Sequence, residues 1–255
     1  MSTALILGAS RGIGHELVRQ YRADGWRVIA TARKPSDCDV LKQMGAEAHL
    51  LDVNDTAGIA AMGWKLDDER IDAAWLVAGV YGPRHAGFPT DAEFDEVMHT
   101  NVLSAMRLLP VVAPLVASVR GKVAVISSRM GSIGERTSAS GSLYRASKAA
   151  LNSVLKDAAL TFGAAGATCV AFHPGWVQTD MGARALTSPT AFNAALAGKE
   201  TLGPTSTGNA SQAPHVRSFQ EKLAADADEA SAATGIPAKF MLGQAALESG
   251  CSRAS

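Results

Sequence analysis

The stretch TALILGASRGIGHELV, residues 3–18, decides the fold of this chain. It joins a short apolar run to a turn containing Gly8, Gly12 and Gly14, and then to a helical pattern. Glycines at these places permit a tight turn, the approach of a pyrophosphate to N–H groups at a positive helix end, and close packing of helix on strand. The stretch therefore predicts a strand, a turn and a helix that bind a dinucleotide, with a purely structural turn as the alternative.

Short apolar runs alternate with longer helical patterns from this stretch to about residue 180. The runs are apolar throughout, which is typical of strands covered on both faces in a parallel sheet with right-handed crossovers. Strands are predicted at 3–7, 27–32, 47–53, 72–78, 122–127 and 168–173. Helices are predicted at 12–24, 36–44, 56–66, 91–118 (as two helices) and 142–162. The fold class expected is α/β, a Rossmann-like, doubly wound parallel sheet.

Composition excludes several classes of function. The 255 residues carry 24 Lys and Arg against 24 Asp and Glu, so no net charge favours nucleic acid or an anionic membrane surface as a partner. Cys38, Cys169 and Cys251 lack the spacing of a metal site or a disulfide framework, which fits a reducing, cytoplasmic compartment and no metal. The longest apolar run, 108–119, is too short to span a bilayer.

Two arginines favour NADP(H) as the dinucleotide. Arg11 lies inside the glycine turn and Arg33 follows the second predicted strand, where an adenosine 2'-phosphate would lie. No acidic residue ends that strand, at residues 30–32, to bind a free ribose hydroxyl. Either arginine alone would be read as an ordinary surface charge, and their coincidence at both places favours the phosphate.

A second cluster, SLYRASKAAL, places Tyr144 and Lys148 four residues apart on one helical face. A tyrosine with a pKa of about 10 is a poor acid or base at neutral pH, and a neighbouring ammonium would favour the phenolate. Ser128, after the fifth predicted strand, could donate a hydrogen bond to a substrate oxygen. Without the glycine motif, such a pair would be a surface pair.

Together these residues resemble the short-chain dehydrogenase/reductase family, in its C-factor and carbonyl-reductase-like branch. The family's Tyr-x-x-x-Lys motif matches Tyr144 and Lys148, its serine matches Ser128, and its tetrad asparagine matches Asn101 in HTNVL. The resemblance implies that Tyr144 is the acid/base and that Lys148 lowers its pKa and holds the ribose. It also implies that Ser128 polarises the carbonyl and that Asn101, with a water, completes the proton relay.

The resemblance also implies a cofactor site. Asp52 and Val53 match the adenine-contacting pair, and HPGWVQTDMG, from residue 173, matches the Pro-Gly segment beside the nicotinamide, where Thr179 would contact the carboxamide. The cofactor-binding residues implied are Gly8, Ser10, Arg11, Gly12, Ile13, Gly14, Arg33, Asp52, Val53, Ala78, Gly79, Pro174, Gly175, Val177 and Thr179.

Two places depart from the family pattern. Residues 76–79, Leu-Val-Ala-Gly, stand where the family has Asn-Asn-Ala-Gly, and Leu7 stands where it has threonine. The first change removes side-chain hydrogen bonds but keeps small residues beside the cofactor, and neither removes the proposed chemistry. The helices at about 100–118 and 142–162 match those that pair in the family's dimers and tetramers, so a homo-oligomer is expected.

The resemblance covers residues 1–182, taken as the NADP(H)-binding domain, and then stops. Residues 183–217 are dominated by Ala, Gly, Ser, Thr, Pro and Asn, which predicts a linker. No strand is predicted beyond residue 180, so the family's last strand is expected to be missing. That loss would leave the strand at 168–173 as an exposed apolar edge.

Residues 218–255 carry helical patterns, and PAKFMLGQAALESG (237–250) predicts a helix that ends at a glycine. Residues 218–250 resemble the beginning of a flagellar-type glucosaminidase (peptidoglycan hydrolase) domain, in which Glu248 would be the general acid. Cys251 stands where that family has tryptophan. A gene fusion, a frameshift or a deliberate chimera would each explain the change, and a helical appendage without chemistry is the simpler alternative.

The function expected is an NADP(H)-dependent oxidoreductase that interconverts a carbonyl and an alcohol on a small molecule by hydride transfer. One alternative is a truncated or chimeric protein that binds the cofactor but is catalytically impaired. The other is a peptidoglycan hydrolase. The substrate does not follow from the sequence, because the family's specificity lies largely in the segment that is replaced.

Overall fold

The computed structural model describes residues 1–85 and 87–174. Its strands are β1 (Thr3–Leu7), β2 (Arg27–Ala32), β3 (Glu47–Leu50), β4 (Ala73–Leu76), β5 (Lys122–Ile126) and β6 (Thr168–Phe172). They form one parallel sheet in the order β3-β2-β1-β4-β5-β6. The strand order reverses direction between β1 and β4, and in such sheets ligands bind at the carboxyl ends of the strands beside that point.

Six α-helices connect these strands: α1 (Gly12–Ala23), α2 (Pro35–Gln43), α3 (Thr56–Lys65), α4 (Asp91–Met98), α5 (Ser104–Ala117) and α6 (Ser142–Phe162). Their starts follow local chemistry. Pro35 occupies the first turn of α2, and the Asp55 side chain accepts the Ala57 N–H at the start of α3. Thr90 and Glu93 form a reciprocal capping box at the start of α4.

Helices cover both faces of the sheet. On one face, α5 packs against both α3 and α6, and the three helices bury the main apolar core with side chains of the central strands. On the other face, Tyr21 of α1 accepts a hydrogen bond of 3.0 Å from the indole N–H of Trp75 in β4. The burial of both faces explains why the strands are apolar throughout.

The predicted α/β class and its parallel sheet are confirmed, and every predicted strand is present. The strand predicted at 47–53 ends at Leu50, because the chain turns at Asp52, whose carboxylate accepts the Asn54 N–H at 2.9 Å. The region 91–118, predicted as two helices, is helical without a break, since a π-helical turn (His99–Leu103) joins α4 to α5.

The continuous helix Asp91–Ala117 has the length and apolarity of a membrane span, but 61% of its apolar window is buried inside the fold. It is therefore interpreted as a core helix in the layer that flanks the sheet. The predicted linker at 183–217, the helical segment at 218–255 with Glu248, and the proposed loss of a last strand lie outside the described residues.

Candidate active site

The glycine turn between β1 and α1 is built so that backbone approaches backbone. Gly8 has φ +95°, and a Cβ on it would lie 2.8 Å from the amide nitrogen of Ala78. A Cβ on Gly14 would collide with the carbonyl oxygen of Gly8. The Gly8 N–H donates to the Thr31 hydroxyl at 3.1 Å, which ties the turn to the end of β2. The turn therefore requires glycine at positions 8 and 14, where a side chain would collide with the neighbouring backbone.

Both arginines predicted to bind the 2'-phosphate lie on the side of the sheet where the strands have their carboxyl ends. Arg11 immediately precedes α1 and Arg33 immediately follows β2, the parallel neighbour of β1, and both side chains are exposed. Of their neighbours in the turn, Ser10 is exposed and Ile13 is half-buried. The end of β2 carries Thr31 in place of an acidic residue, as the sequence predicted.

The other predicted cofactor residues lie after the neighbouring strands. Val53 is buried beyond β3, whereas Asp52 beside it is exposed. Ala78 follows β4, and its N–H donates to the Leu7 carbonyl at 3.2 Å, so the chain beyond β4 stays against β1. A Cβ on Gly79 would lie 3.2 Å from Asn101 Oδ1 and 3.5 Å from Lys148 Nζ, so this glycine joins the cofactor loop to the proposed catalytic residues.

Tyr144 and Lys148 lie on the buried face of α6, as their spacing predicted. The Lys148 ammonium donates to the Ile126 carbonyl, at the end of β5, at 2.8 Å and lies 5.6 Å from the centroid of the Tyr144 ring. The Ser128 hydroxyl accepts the Met130 N–H at 3.1 Å and acts on Tyr144, lowering the pKa of its phenol. The structure therefore brings the phenol, the ammonium and the hydroxyl of the predicted triad together.

Burial governs the pKa values of both side chains. Burial of the Tyr144 phenol raises its pKa to about 12. The Ser128 hydroxyl acts in the opposite direction. The lowering contribution of Lys148, implied by the resemblance, stays a prediction. Burial also lowers the pKa of Lys148 to about 8, because a charged ammonium loses its hydration there. At neutral pH Tyr144 is therefore a protonated phenol beside an ammonium that still carries its charge.

Asn101 lies in the π-helical turn and is almost fully buried. Its Oδ1 accepts the Val80 N–H at 2.8 Å, and its Nδ2 donates to the Val80 carbonyl at 2.8 Å and to the Ser147 hydroxyl at 2.9 Å. Ser147 in turn donates to the Tyr144 carbonyl at 2.8 Å. Asn101 thus links the chain after β4 to the helix that carries Tyr144.

The remaining predicted residues end the described part of the chain. Pro174 is half-buried just beyond β6. Gly175, Val177 and Thr179 lie outside the described residues, so their contacts stay predictions. Within residues 1–85 and 87–174, no group of three or more His, Cys, Asp or Glu side chains could hold a metal ion.

Sequence reasoning missed three residues that shape this site. Thr31 holds the glycine turn, Ser147 bridges Asn101 to the backbone of Tyr144, and the Tyr81 ring stacks on the Tyr144 ring with centroids 4.6 Å apart. A signal for Tyr81 exists, since an aromatic residue two positions after Gly79 must lie near the carboxyl end of β4. No such signal exists for Ser147, because a small residue between Tyr144 and Lys148 is typical of any buried helix face.

Known proteins share this architecture and much of this sequence. A family model described as short chain dehydrogenase matches residues 2–189, which extends past the boundary predicted at 182. The 1-hydroxy-2-glutathionyl-2-methyl-3-butene dehydrogenase of Rhodococcus sp. (strain AD45) is 32% identical over 187 residues, covering 71% of this chain and 80% of that protein.

Solved structures give the same picture. A short-chain dehydrogenase/reductase from Burkholderia multivorans with bound NADP has a TM-score of 0.66 and 32% identity, covering 71% of this chain and 82% of its own. A carbonyl reductase from Pseudomonas aeruginosa PAO1 in complex with NADP has a TM-score of 0.63 and 31% identity, covering 79% of this chain and 91% of its own.

Proposed function

Because this chain belongs to the short-chain dehydrogenase family, we propose that it is an NADP(H)-dependent oxidoreductase that interconverts a carbonyl and an alcohol. The observation that carries the proposal is the buried Tyr144 and Lys148 pair beside the glycine turn, with Ser128 acting on the Tyr144 phenol. The carbonyl-reductase-like part of the branch assignment has the support of the similar Pseudomonas carbonyl reductase, and the C-factor part stays a prediction.

The residues present fit a dinucleotide. Gly8 and Gly14 leave no room for a Cβ, which keeps the N-terminus of α1 open to a pyrophosphate. Arg11 and Arg33 are the cations proposed for the 2'-phosphate. Two structurally similar proteins were crystallised with NADP, which supports the same cofactor here. When bound, the cofactor supplies or takes up the hydride.

The chain's own residues handle the proton. In the reductive direction the Tyr144 phenol gives its proton to the carbonyl oxygen as negative charge develops there, and the Ser128 hydroxyl donates a hydrogen bond to the same oxygen. The Lys148 ammonium stabilises the phenolate that Tyr144 leaves behind. Asn101 is proposed to complete the relay that returns a proton, and it holds the loop after β4 in place.

The pKa of Tyr144 favours the reductive direction at neutral pH. A phenol with a pKa of about 12 is already protonated and ready to donate, whereas oxidation of an alcohol requires the phenolate as base. The oxidative rate should therefore rise with pH up to the pKa of Tyr144. The reductive rate should begin to fall near pH 8, because Lys148 then loses the charge that stabilises the phenolate.

The test is a fluorescence titration with NADPH followed by a panel of aldehydes and ketones, on the full chain. We expect binding with turnover, and Tyr144→Phe should abolish turnover while changing NADPH affinity by no more than a few-fold, because it removes the proton donor and little cofactor contact. Retained turnover in that variant would refute the role of Tyr144. Absence of NADPH binding would refute the proposed function as a whole.

The alternative, a protein that binds the cofactor but is catalytically impaired, predicts a different result in the same assay. Binding of NADPH without turnover of any carbonyl would favour it, since the resemblance places the family's specificity in the segment expected to be replaced beyond residue 182. The peptidoglycan hydrolase alternative depends on Glu248, outside the described residues, and the family match does not reach it. It is not proposed for this chain.

We further propose a homo-oligomer formed through α5 and α6, in a cytoplasmic setting. Each of these helices carries a large apolar side chain on its outer surface, Met106 (53% exposed) and Leu160 (68% exposed), which a partner helix would cover. A monomer by light scattering at micromolar concentration would contradict this.

A further inference from the structure

Tyr81 lies against the proposed proton donor. The rings of Tyr81 and Tyr144 stack with centroids 4.6 Å apart and planes inclined by 25°. The Arg84 guanidinium lies over the Tyr81 ring, 4.3 Å from its centroid, and the Lys148 ammonium lies 5.6 Å from the centroid of Tyr144. The two stacked rings therefore each lie near a cation, a contact that ring quadrupoles favour.

The loop that carries Tyr81 is fixed on both sides of it. Before Tyr81, the N–H and the carbonyl of Val80 are both bound by the Asn101 side chain. After it, the His85 ring bonds to the Glu93 carboxylate at 3.0 Å, at the first turn of α4. Because these contacts, at residues 80 and 85, lie five residues apart, the Tyr81 ring has little freedom to leave the stack.

The hydroxyl of Tyr81 reaches the start of the helix that bears Tyr144. Gly141, the residue before α6, has φ +66°, and a Cβ on it would lie 2.8 Å from the Tyr81 hydroxyl oxygen and 2.9 Å from Met130 Cε. The Tyr81 hydroxyl thus occupies the space that a side chain at position 141 would need. The ring is held at its face by Tyr144, and its tip lies beside the start of α6.

We propose that Tyr81 is a positioning residue for the reaction: its ring fixes the plane of the Tyr144 phenol and closes one face of it, so that only the hydroxyl edge meets the substrate carbonyl. This inference rests on the proposed function, in which Tyr144 is the proton donor. The planar face of residue 81 carries the role, and its hydroxyl does not. A misplacement of about 1 Å in a catalytic group can cost a hundredfold in rate, so loss of the stack should be visible in kcat.

Steady-state kinetics with NADPH and the best carbonyl of the panel test the role. Tyr81→Phe keeps the planar ring and should keep kcat within about twofold, whereas Tyr81→Leu should lower kcat about tenfold or more with unchanged NADPH affinity. Phe88→Leu is the matched control, because Phe88 is an aromatic residue on the same loop that is 96% exposed. Equal kcat for wild type and Tyr81→Leu, or an equal loss in Tyr81→Phe and Tyr81→Leu, would overturn the proposal.

A second measurement needs no turnover, so that failure of the proposed function and failure of this inference are distinguishable. The chain has three tyrosines, at positions 21, 81 and 144, and burial raises the pKa of Tyr21 strongly. Each Tyr81 variant is titrated by tyrosinate absorbance, once with Tyr144 present and once with Tyr144→Phe added. The difference between the two titrations is the signal of Tyr144. Loss of the covering ring should lower the pKa of Tyr144 most in Tyr81→Leu, because water then reaches the phenol. The pKa should fall less in Tyr81→Phe, which removes only the electrostatic effect of the Tyr81 hydroxyl.

An unchanged pKa of Tyr144 in Tyr81→Leu would contradict the stack itself, whatever the activity of the wild type. Circular dichroism and thermal melting establish that each variant is folded. Tyr81→Met, whose flexible side chain fills a similar space without a planar face, replaces Tyr81→Leu if the latter does not fold. The same fall in kcat and in the pKa of Tyr144 is expected from it.

Discussion

Replacement of Lys148 by methionine should remove a pH dependence of stability that the wild type shows. The pKa of Lys148 is lowered to about 8 by burial, against 10.5 for an ordinary lysine side chain. Between these two values the unfolded chain holds a proton that the folded chain has released. Stability therefore rises with pH through this window, and below pH 8 the full cost of the buried charge is present.

The magnitude follows from the two pKa values. At about 1.4 kcal/mol for each pKa unit, burial of the charge costs about 3 kcal/mol at neutral pH, and most of that cost is relieved by pH 10. Methionine has a similar length and no charge, so its variant lacks this contribution at every pH. It leaves the Ile126 carbonyl without its 2.8 Å donor, but that loss of about 1–3 kcal/mol does not change with pH.

Urea unfolding of both proteins between pH 7 and pH 10, under reducing conditions, measures the effect. The free energy of unfolding of wild type, relative to Lys148→Met, should rise by about 2–3 kcal/mol across that range. Taking the difference between the two free energies of unfolding cancels the contributions of the cysteines and tyrosines, which titrate in both proteins. Lys156→Met, an exposed lysine on the same helix, is the control and should track the wild type. Parallel curves for wild type and Lys148→Met would mean that Lys148 is not a buried ammonium.

Three further changes have expected outcomes. Replacing Arg11 and Arg33 by alanine should weaken NADPH binding far more than NADH binding, and equal weakening in the fluorescence titration would mean that neither binds the 2'-phosphate. Gly8→Ala should cost about 3 kcal/mol or more, because its Cβ meets backbone at 2.8 Å, whereas Gly25→Ala, also at positive φ but with nothing within 4 Å, should cost only about 1 kcal/mol. Urea unfolding compares the two, and equal losses would refute the clash. Asn101→Ala should cost about 2–4 kcal/mol, since it removes three hydrogen bonds, and a loss below about 1 kcal/mol would show that water replaces them.

Most of the fold could be predicted because the apolar runs mark each strand directly. β1 and β2 have the predicted bounds, since each ends where the chain must turn or lose its apolar character. The end of β3 was predicted too late, because LLDV remains apolar enough to continue a strand while Asp52 already turns the chain. The continuity of the helix at 91–118 was not predicted, since a π-helical turn has no mark in the hydrophobic pattern.

The candidate site could be predicted in its membership but not in its electrostatics. The Tyr144 and Lys148 spacing shows that both lie on one face, whereas the pKa of a phenol depends on which distant groups bury it. Tyr81 contributes to that burial from a loop more than sixty residues earlier in the chain, and nothing at position 144 indicates it. The raised pKa of Tyr144 was not predicted, because burial of its side chain was not considered.

The π-helical turn His99–Leu103 makes the length of this segment as important as its composition. An α-helix advances about 100° for each residue, so deletion of a single residue here would rotate all of α5 relative to α4 by roughly that angle. Either the apolar face of α5 would then turn away from the sheet, or Asn101 would turn away from Val80. The chain could not keep both contacts. Any alignment or redesign that treats the helix as uniform would misregister one half of it, and the safest place for an insertion or deletion lies in the exposed loops outside Asp91–Ala117.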